Sequence, residues 1–252
     1  MWYESKRVTL STNLLPTFIM AWRCTGKTNI ELIENLVNAS ILKASDDTSL
    51  ARISDAMKAV DRAHYVRNVA DAYIDSPQAI GHGATISAPH MHAYAADHLL
   101  PFLKPGARVL DVGSGSGYLA AVLHNLVTPA GKVVGIDHIP ELVDWSLDNL
   151  KKDERTRRAV ESGEVQMFAG DGRLGYPSEA PYDAIHVGAA APTIPEPLIE
   201  QLARPGRMFI PVGTLSQYIY QVDKDTEGNV TKTKIMGVNY VPLTDRDKQT
   251  PW

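Results

Sequence analysis

This chain of 252 residues has a single cysteine, no uninterrupted block of Lys and Arg, and no long hydrophobic run. One cysteine, Cys24, excludes an intramolecular disulfide and is typical of a protein in a reducing compartment. The 25 Lys and Arg are balanced by 29 Asp and Glu, so a strong electrostatic grip on nucleic acid is not expected. No apolar run approaches the roughly 20 residues of a membrane span. We therefore expect a cytoplasmic protein that binds neither nucleic acid nor membrane, and nothing in the sequence requires more than a monomer.

The amino-terminal segment places Lys6 and Arg7 before an apolar stretch at residues 14–22, the order found in signal peptides. Pro16 interrupts that stretch, and no clear small-residue cleavage site follows. We interpret residues 1–19 as an extension, either disordered or docked on the rest of the chain. Residues 20–104 are interpreted as a helical preface with a substrate loop, and residues 105–252 as the core. We expect residues 20–252 to form one compact unit.

The core alternates between short apolar runs and amphipathic stretches, the pattern of a doubly wound parallel sheet. The apolar runs predict strands at 107–112, 132–136, 164–169, 182–187 and 207–212, with helices at 116–127, 140–152 and 195–203. Two more strand-like runs, 217–222 and 230–241, flank a turn at 225–229 and predict an antiparallel hairpin at the edge of the sheet. The fold class is therefore α/β.

The preface is predicted to be helical at 28–42, 49–60 and 89–103, where apolar residues recur at helical spacing. Residues 73–87 contain Pro77, Gly81 and Gly83 without a clear period, so the sequence predicts a loop there. Ser87 stands where it could cap the following helix.

The most informative stretch is residues 107–117, an apolar run that ends in Asp111 and is followed by Gly113, Gly115 and Gly117 alternating with serines. A strand, a glycine turn and a helix in this order indicate a nucleotide-like ligand, because glycine allows a close backbone approach. The dinucleotide fingerprint requires a third glycine at the position of Tyr118, which disfavours an NAD oxidoreductase. Asp111 would repel a pyrophosphate and suit an ammonium group, which S-adenosylmethionine carries in place of a phosphate.

Two further carboxylates follow predicted strands. Asp137 comes after Gly113 at close to the roughly 20-residue spacing of a ribose-binding acid, and it could accept hydrogen bonds from both ribose hydroxyls. Asp171 ends the next predicted strand and could accept from an adenine amino group. Acids at successive strand ends, in register with a glycine loop, favour a cofactor site over solvated strand ends.

The segment 75–92 concentrates hydroxyls, imidazoles and glycines just before the core. A metal site is not expected, because His90 and His92 are two residues apart and would lie on different faces of a helix, without a supporting cysteine or His-Glu-x-x-His pattern. Ser87 lacks the Gly-x-Ser-x-Gly surroundings of a serine nucleophile.

At this point the chain resembles the protein-L-isoaspartate (D-aspartate) O-methyltransferase family, from residue 20 to about residue 249. The resemblance lies in the runs 113–117, 135–138, 170–173, 180–192 and 241–245, and in the segment 75–94, which is peculiar to that family. It implies a Rossmann-like methyltransferase that uses S-adenosyl-L-methionine, releases S-adenosyl-L-homocysteine and esterifies the α-carboxylate of L-isoaspartyl residues in damaged proteins and peptides, starting their repair.

The resemblance also implies roles for individual residues. Ser87 corresponds to the family's proposed active-site serine, and Thr85 beside it is the second candidate catalytic residue. Ala84, Thr85 and Ile86 correspond to a loop that closes over cofactor and substrate. The expected cofactor-binding residues are Ala84, Thr85, Ile86, Ser87, His92, Asp111, Gly113, Gly115, Asp137, His138, Asp171, Gly172, Thr244 and Gln249.

Two other functions share part of these features. A methyltransferase for a small molecule or RNA would have the glycine loop and Asp137, but it gives no reason for the segment 75–94, and the net charge of −4 weighs against RNA. A protein that binds the cofactor without catalysis would not need Thr85, Ser87 or the small residues Ala189, Ala190 and Ala191, which leave room for a peptide.

Overall fold

The structure, a computed structural model, describes residues 24–42, 44 and 46–249. The predicted extension at residues 1–19 lies outside these residues. The helices and strands follow one another as α1 (Asn29–Asn38), α2 (Asp47–Lys58), β1 (Gln78–Gly81), β2 (Ala84–Ile86), α3 (Pro89–Leu99), β3 (Arg108–Val112), α4 (Tyr118–Val127), β4 (Lys132–Asp137), α5 (Pro140–Leu150), α6 (Glu154–Ser162), β5 (Val165–Ala169), β6 (Tyr182–Val187), α7 (Glu196–Glu200), β7 (Leu202–Val212), β8 (Gln217–Lys224) and β9 (Val230–Val238).

The central sheet of the described residues has seven strands in the order β5-β4-β3-β6-β7-β8-β9. Strands β5 to β7 in this order are parallel, and β8 and β9 continue the sheet antiparallel. This confirms the predicted α/β fold with its carboxyl-terminal hairpin. The chain runs outward in one direction from β3 to β5 and then returns to the other side of β3 with β6. Open α/β sheets bind ligands at such a reversal, beyond the carboxyl ends of the strands.

The sheet separates two hydrophobic clusters. Val109 of β3 packs into the cluster that contains α1 to α4, whereas its neighbour Leu110 packs into the cluster that contains α7. Successive strand residues point to opposite faces, so a strand covered on both sides must be apolar throughout. The helical preface shares its cluster with the core, through residues such as Leu32 and Leu99. Nowhere in the described residues is a helix long and apolar enough to cross a membrane.

The predicted loop at 73–87 contains a small antiparallel hairpin instead. Strand β1 pairs with β2, with Gln78 opposite Ile86 and Ala79 opposite Thr85. Gly81, His82 and Gly83 all have positive φ angles, of 90°, 55° and 68°. The glycines that obscured the strand periodicity are therefore the turn of a hairpin, because they adopt this conformation without the strain that other residues suffer.

Helix α3 also begins differently from the prediction. Its N-cap is Ala88, without a side-chain cap, and Pro89 occupies the first turn. Ser87 therefore does not cap this helix, and its hydroxyl is available for other contacts. The helix ends at Leu99, and Leu100–Phe102 form a short 3-10 turn in place of the last predicted residues.

Helix α6 was missing from the prediction. Asp153 caps it by accepting from the backbone N–H groups of Arg155 and Thr156, and Gly163 ends it with a φ of 79°. Only Thr156 and Ala159 are buried in this helix, so its apolar stripe is too narrow to be visible as a periodic pattern. The fifth parallel strand, β7, begins at Leu202 rather than at 207, and this shortens α7.

Candidate active site

The glycine loop after β3 is anchored to the end of β4. The backbone N–H groups of Gly113 and Ser114 donate to the Ile136 carbonyl over 2.8 and 3.2 Å. The N–H of Gly115 donates to Oδ2 of Asp137 over 3.0 Å. Gly113, Gly115 and Gly117 have φ angles of 70°, 50° and 82°, a region in which side chains are strained. Glycine at these positions therefore lets the loop take this path without strain.

Asp137 itself joins two loops. Its Oδ1 accepts from the Ile139 N–H over 3.0 Å while Oδ2 holds Gly115. Burial raises the pKa of this carboxyl, and the two N–H donors oppose that rise by favouring the charged form. Each carboxylate oxygen can accept more than one hydrogen bond, so both keep acceptor capacity toward the cleft that Asp137 lines.

A cleft of about 570 Å³, counting its open mouth, lies over the carboxyl ends of β3, β4 and β6. The residues expected to bind cofactor that line it are Ala84, Thr85, Gly113, Gly115, Asp137, His138, Asp171, Gly172, Thr244 and Gln249. No Lys or Arg belongs to the described lining of the cleft.

Asp171 forms the far side of the cleft. Its carboxylate accepts two hydrogen bonds from Arg173 Nε and one from a terminal nitrogen, at 2.9, 3.1 and 2.7 Å. These contacts lower the pKa of Asp171, so the group stays ionised at neutral pH. Arg173 also contacts Asp245 at 2.7 Å and so ties the carboxyl-terminal segment to this side of the cleft.

Gln249 closes one end of the cleft. Its Oε1 hydrogen-bonds with His138 Nε2, and its Nε2 donates to the His82 carbonyl over 2.8 Å. One amide therefore connects the residue after β4 with the turn of the β1–β2 hairpin. Residues 241–244 also line the cleft. They are held by Ala190, whose N–H donates to the Val241 carbonyl over 2.8 Å.

A second cavity of about 830 Å³, again counting its mouth, adjoins the cleft. The two share Thr85, Val241 and Pro242 in their walls. Ser87 lines only the second cavity, and Tyr240 lines the same cavity. Burial raises the pKa of Tyr240 to about 12, so both hydroxyls are neutral at physiological pH.

Three residues expected to bind cofactor line neither cavity. Ile86 is buried in the hydrophobic core. His92 is buried against the ring of Tyr118, at 4.9 Å between centroids, and burial holds its pKa well below the usual range. Asp111 is buried with Oδ1 at 2.7 Å from Nδ1 of His186, its neighbour on β6. These side chains support the site from one layer behind it.

The sequence interpretation did not assign several residues of the cleft to the cofactor, namely Ile136, Gly188, Ala189, Val241, Pro242 and Leu243. They are apolar or small, so they shape the cavity without supplying polar side chains. At Gly188 an added Cβ would approach the Gly113 carbonyl to 3.0 Å, so the close passage of the two loops needs glycine. The neighbouring alanine run 189–191 is the sequence feature that could have identified this part of the cleft. Among the residues that the structure describes, no group of three His, Cys, Asp or Glu side chains could hold a metal ion.

Comparison with known proteins gives one family. The family model described as protein-L-isoaspartate(D-aspartate) O-methyltransferase matches residues 27–248. The protein-L-isoaspartate O-methyltransferase of Triticum aestivum is 46% identical over 221 residues, 88% of this chain and 93% of that protein. That of Caenorhabditis elegans is 46% identical over 232 residues, 91% of this chain and 98% of that protein.

A solved structure supports the same grouping. The crystal structure of a protein-L-isoaspartate O-methyltransferase from Plasmodium falciparum, in complex with S-adenosyl-L-homocysteine, superposes with a TM-score of 0.77. It is 33% identical to this chain and covers 87% of this chain and 99% of its own.

The buried pair of Asp111 and His186 predicts a structural cost. Asp111→Ala leaves a ring nitrogen of His186 buried without its partner, so we expect the free energy of unfolding to fall by about 1–3 kcal/mol. Equilibrium urea unfolding measures this change. The control is Asp148→Ala, which removes a carboxylate that is 74% exposed and should leave stability unchanged. An equal effect of both variants would contradict the structural role of Asp111.

Proposed function

The chain belongs to the protein-L-isoaspartate(D-aspartate) O-methyltransferase family, and we propose that Ser87 and Thr85 position the acceptor carboxylate for the reaction of this family. The protein is an S-adenosyl-L-methionine-dependent methyltransferase. It esterifies the α-carboxylate of L-isoaspartyl residues in damaged proteins and peptides, which starts their repair. After methyl transfer the cofactor is released as S-adenosyl-L-homocysteine.

The cleft fits S-adenosyl-L-methionine. Two carboxylates and no Lys or Arg line its described part, so a pyrophosphate would meet repulsion without a compensating cation. Asp137 accepts from the ribose hydroxyls with the lone pairs that the backbone leaves free, and Asp171, fixed by Arg173, accepts from the adenine amino group. The cofactor is surrounded by Gly113, Gly115, Gly172, Ala84, His138, Thr244 and Gln249. The buried side chains of Ile86, His92 and Asp111 hold these groups in place.

The second cavity takes the isoaspartyl segment. The observation that carries this assignment is the shared wall, in which Thr85 faces both cavities and Ser87 lies beside it in the second cavity alone. A carboxylate bound to the Ser87 and Thr85 hydroxyls would lie at the opening toward the cleft. Small side chains on the cleft side, Gly188 and Ala189, leave space between the two ligands.

The chemistry needs alignment rather than acid or base. The acceptor carboxylate, with a pKa near 3.5–4, is already ionised at neutral pH. When bound, the cofactor supplies a methyl group on a sulfonium that departs as a neutral thioether. Alignment in well-held systems supplies roughly 7–11 kcal/mol of barrier reduction. Neutral hydroxyls at Ser87 and Thr85 orient the carboxylate without pairing its charge, as an arginine would.

The remaining features belong to the same proposal. Residues 20–252 act as one compact unit, an arrangement favoured by the hydrophobic cluster that the preface shares with the core. The protein is a cytoplasmic monomer that binds neither nucleic acid nor membrane. Its small net charge of −4 with interspersed signs weighs against nucleic-acid binding.

The function is tested by transfer of a labelled methyl group from S-adenosyl-L-methionine to a peptide. An isoaspartyl peptide should be labelled, and the peptide of the same sequence with a normal aspartyl residue should not. Equal labelling of the two peptides would refute the specificity.

Ser87→Ala should lower kcat by roughly tenfold to a hundredfold, because the carboxylate loses a donor that aligns it. The affinity for S-adenosyl-L-homocysteine, measured by calorimetry, should stay within about threefold, since Ser87 lies outside the cofactor cleft. Ser162→Ala, on α6, is the matched control and should change neither quantity. Parallel losses of turnover and cofactor affinity would contradict the role of Ser87.

Asp137→Ala should weaken cofactor binding on the order of 10- to 100-fold, since it removes charged hydrogen bonds to the ribose and releases the Gly115 N–H. Calorimetry with S-adenosyl-L-homocysteine measures the loss. Asp148→Ala, which removes an exposed carboxylate of the next helix, serves as the control. Unchanged affinity of the Asp137 variant would refute the ribose assignment.

A further inference from the structure

Arg62 is an arginine without exposed surface, at the start of the 3-10 turn Arg62–Tyr65. Burial lowers its pKa to about 10, so the guanidinium is still charged at neutral pH. Its Nε has no hydrogen-bond partner among the described residues. Arginine is almost never fully buried, because removing the charge from water costs more than an apolar side chain of similar volume would. A stabilising role in the fold therefore does not account for this residue.

The contacts of Arg62 place it between the two halves of the site. One terminal nitrogen donates to the Ser87 carbonyl over 2.8 Å. The other lies 3.4 Å from Nδ1 of His92 on α3. The guanidinium carbon lies 5.3 Å from the ring centre of Tyr118, the first residue of the helix after the glycine loop. One planar group thus contacts Ser87, the following helix α3 and the helix α4 that begins after the glycine loop.

The Ser87 carbonyl depends on this contact. Strand β2 ends at Ile86, and the first hydrogen bonds of α3 go to the Ala88 carbonyl, so Ser87 lies between the sheet and the helix. The N-cap residue Ala88 has no side-chain cap, and Asp75 accepts from the first-turn N–H of His90 instead. A hydrogen bond from a charged donor is shorter and roughly twice as strong as one between neutral groups. Arg62 therefore restrains the backbone at Ser87 with a hydrogen bond from a charged donor.

The charges around Arg62 do not neutralise it by direct contact. Asp75 is buried and favours the charged guanidinium from a distance, but its Oδ1 is occupied by His90, at 2.8 Å from the ring and 3.0 Å from the backbone nitrogen. His92 stays neutral, because burial first and the Arg62 charge second lower its pKa. Among the residues that the structure describes, the guanidinium consequently has no competing salt bridge, and it directs its charge at the carbonyl.

We infer that Arg62 is a positioning residue for methyl transfer: it fixes the Ser87 backbone against the helix of the cofactor loop and so sets the place of the Ser87 hydroxyl relative to the cofactor. This inference rests on the proposed role of Ser87. A displacement of about 1 Å in such a site can lower turnover on the order of a hundredfold.

A double-mutant cycle tests the inference, with Arg62→Gln, Ser87→Ala and the double variant compared with the wild type. We expect Arg62→Gln to lower kcat for an isoaspartyl peptide by roughly tenfold to a hundredfold. Its dissociation constant for S-adenosyl-L-homocysteine, measured by calorimetry, should stay within about threefold. Because Arg62 acts through Ser87, the kcat of the double variant should lie within about twofold of that of Ser87→Ala alone.

The control is Arg52→Gln. Arg52 is a partly buried arginine that likewise donates to carbonyls, those of Leu103 and Leu126, but neither it nor these partners line either cavity. It should leave kcat unchanged. If Arg62→Gln does not fold, Arg62→Met, which removes the charge and every donor but keeps a long unbranched side chain, decides by the same criteria.

Three results would overturn the inference: an unchanged kcat in the folded Arg62 variant, a parallel loss of cofactor affinity, or multiplicative losses in the double variant. A wild-type protein that labels no isoaspartyl peptide would instead refute the proposed function. The role of Arg62 alone would be refuted if the wild type and the Ser87→Ala variant behave as expected but the Arg62 variant keeps full activity.

Discussion

The end of β4 is the constraint on which the site depends. The Ile136 carbonyl and the Asp137 carboxylate hold three successive N–H groups of the glycine loop, and the same carboxylate holds Ile139 at the start of the next helix. A buried carboxylate is costly unless hydrogen-bonded, and these backbone donors supply the bonds. The loop consequently has one path, and the floor of the cleft is fixed before any ligand arrives. Asp137 has this structural role and also lines the cleft, where we propose that it binds the ribose.

The two halves of the site obey different electrostatic requirements. The cofactor half presents carboxylates and glycine backbone to a ligand that carries positive charge. The proposed acceptor half presents the hydroxyls of Ser87, Thr85 and Tyr240, which line one cavity, to a ligand that carries negative charge. Any cation in direct contact with that carboxylate would hold it tightly and weaken it as a nucleophile. In this protein the fully buried cation Arg62 donates to the carbonyl of Ser87, and we infer that it orders the acceptor half without touching the carboxylate.

The sequence predicted the parallel sheet because strands covered on both faces have to be apolar, as β3, β4 and β6 are. The hairpin β1–β2 escaped detection since its strands are short and its turn is rich in glycine. Helix α6 escaped because only Thr156 and Ala159 are buried in it. Asp137 and Asp171 were identified as cofactor residues from their position at strand ends, and both line the cleft. Asp111 has the same position, but its partner is set by the pairing of β3 with β6, which brings His186 from 75 residues away. Burial of Arg62 likewise arises only when the preface packs against α3 and α4.

The central claim is that one wall, formed by Thr85 and the segment 241–242, separates a cofactor cleft from an acceptor cavity whose positioning group is Ser87. A crystal structure of the protein with S-adenosyl-L-homocysteine and an isoaspartyl peptide tests it most directly. The account predicts adenosine between Asp137 and Asp171, and the isoaspartyl α-carboxylate within hydrogen-bond distance, roughly 2.5–3.0 Å, of Ser87 Oγ. A carboxylate bound elsewhere, without contact to Ser87 or Thr85, would contradict it.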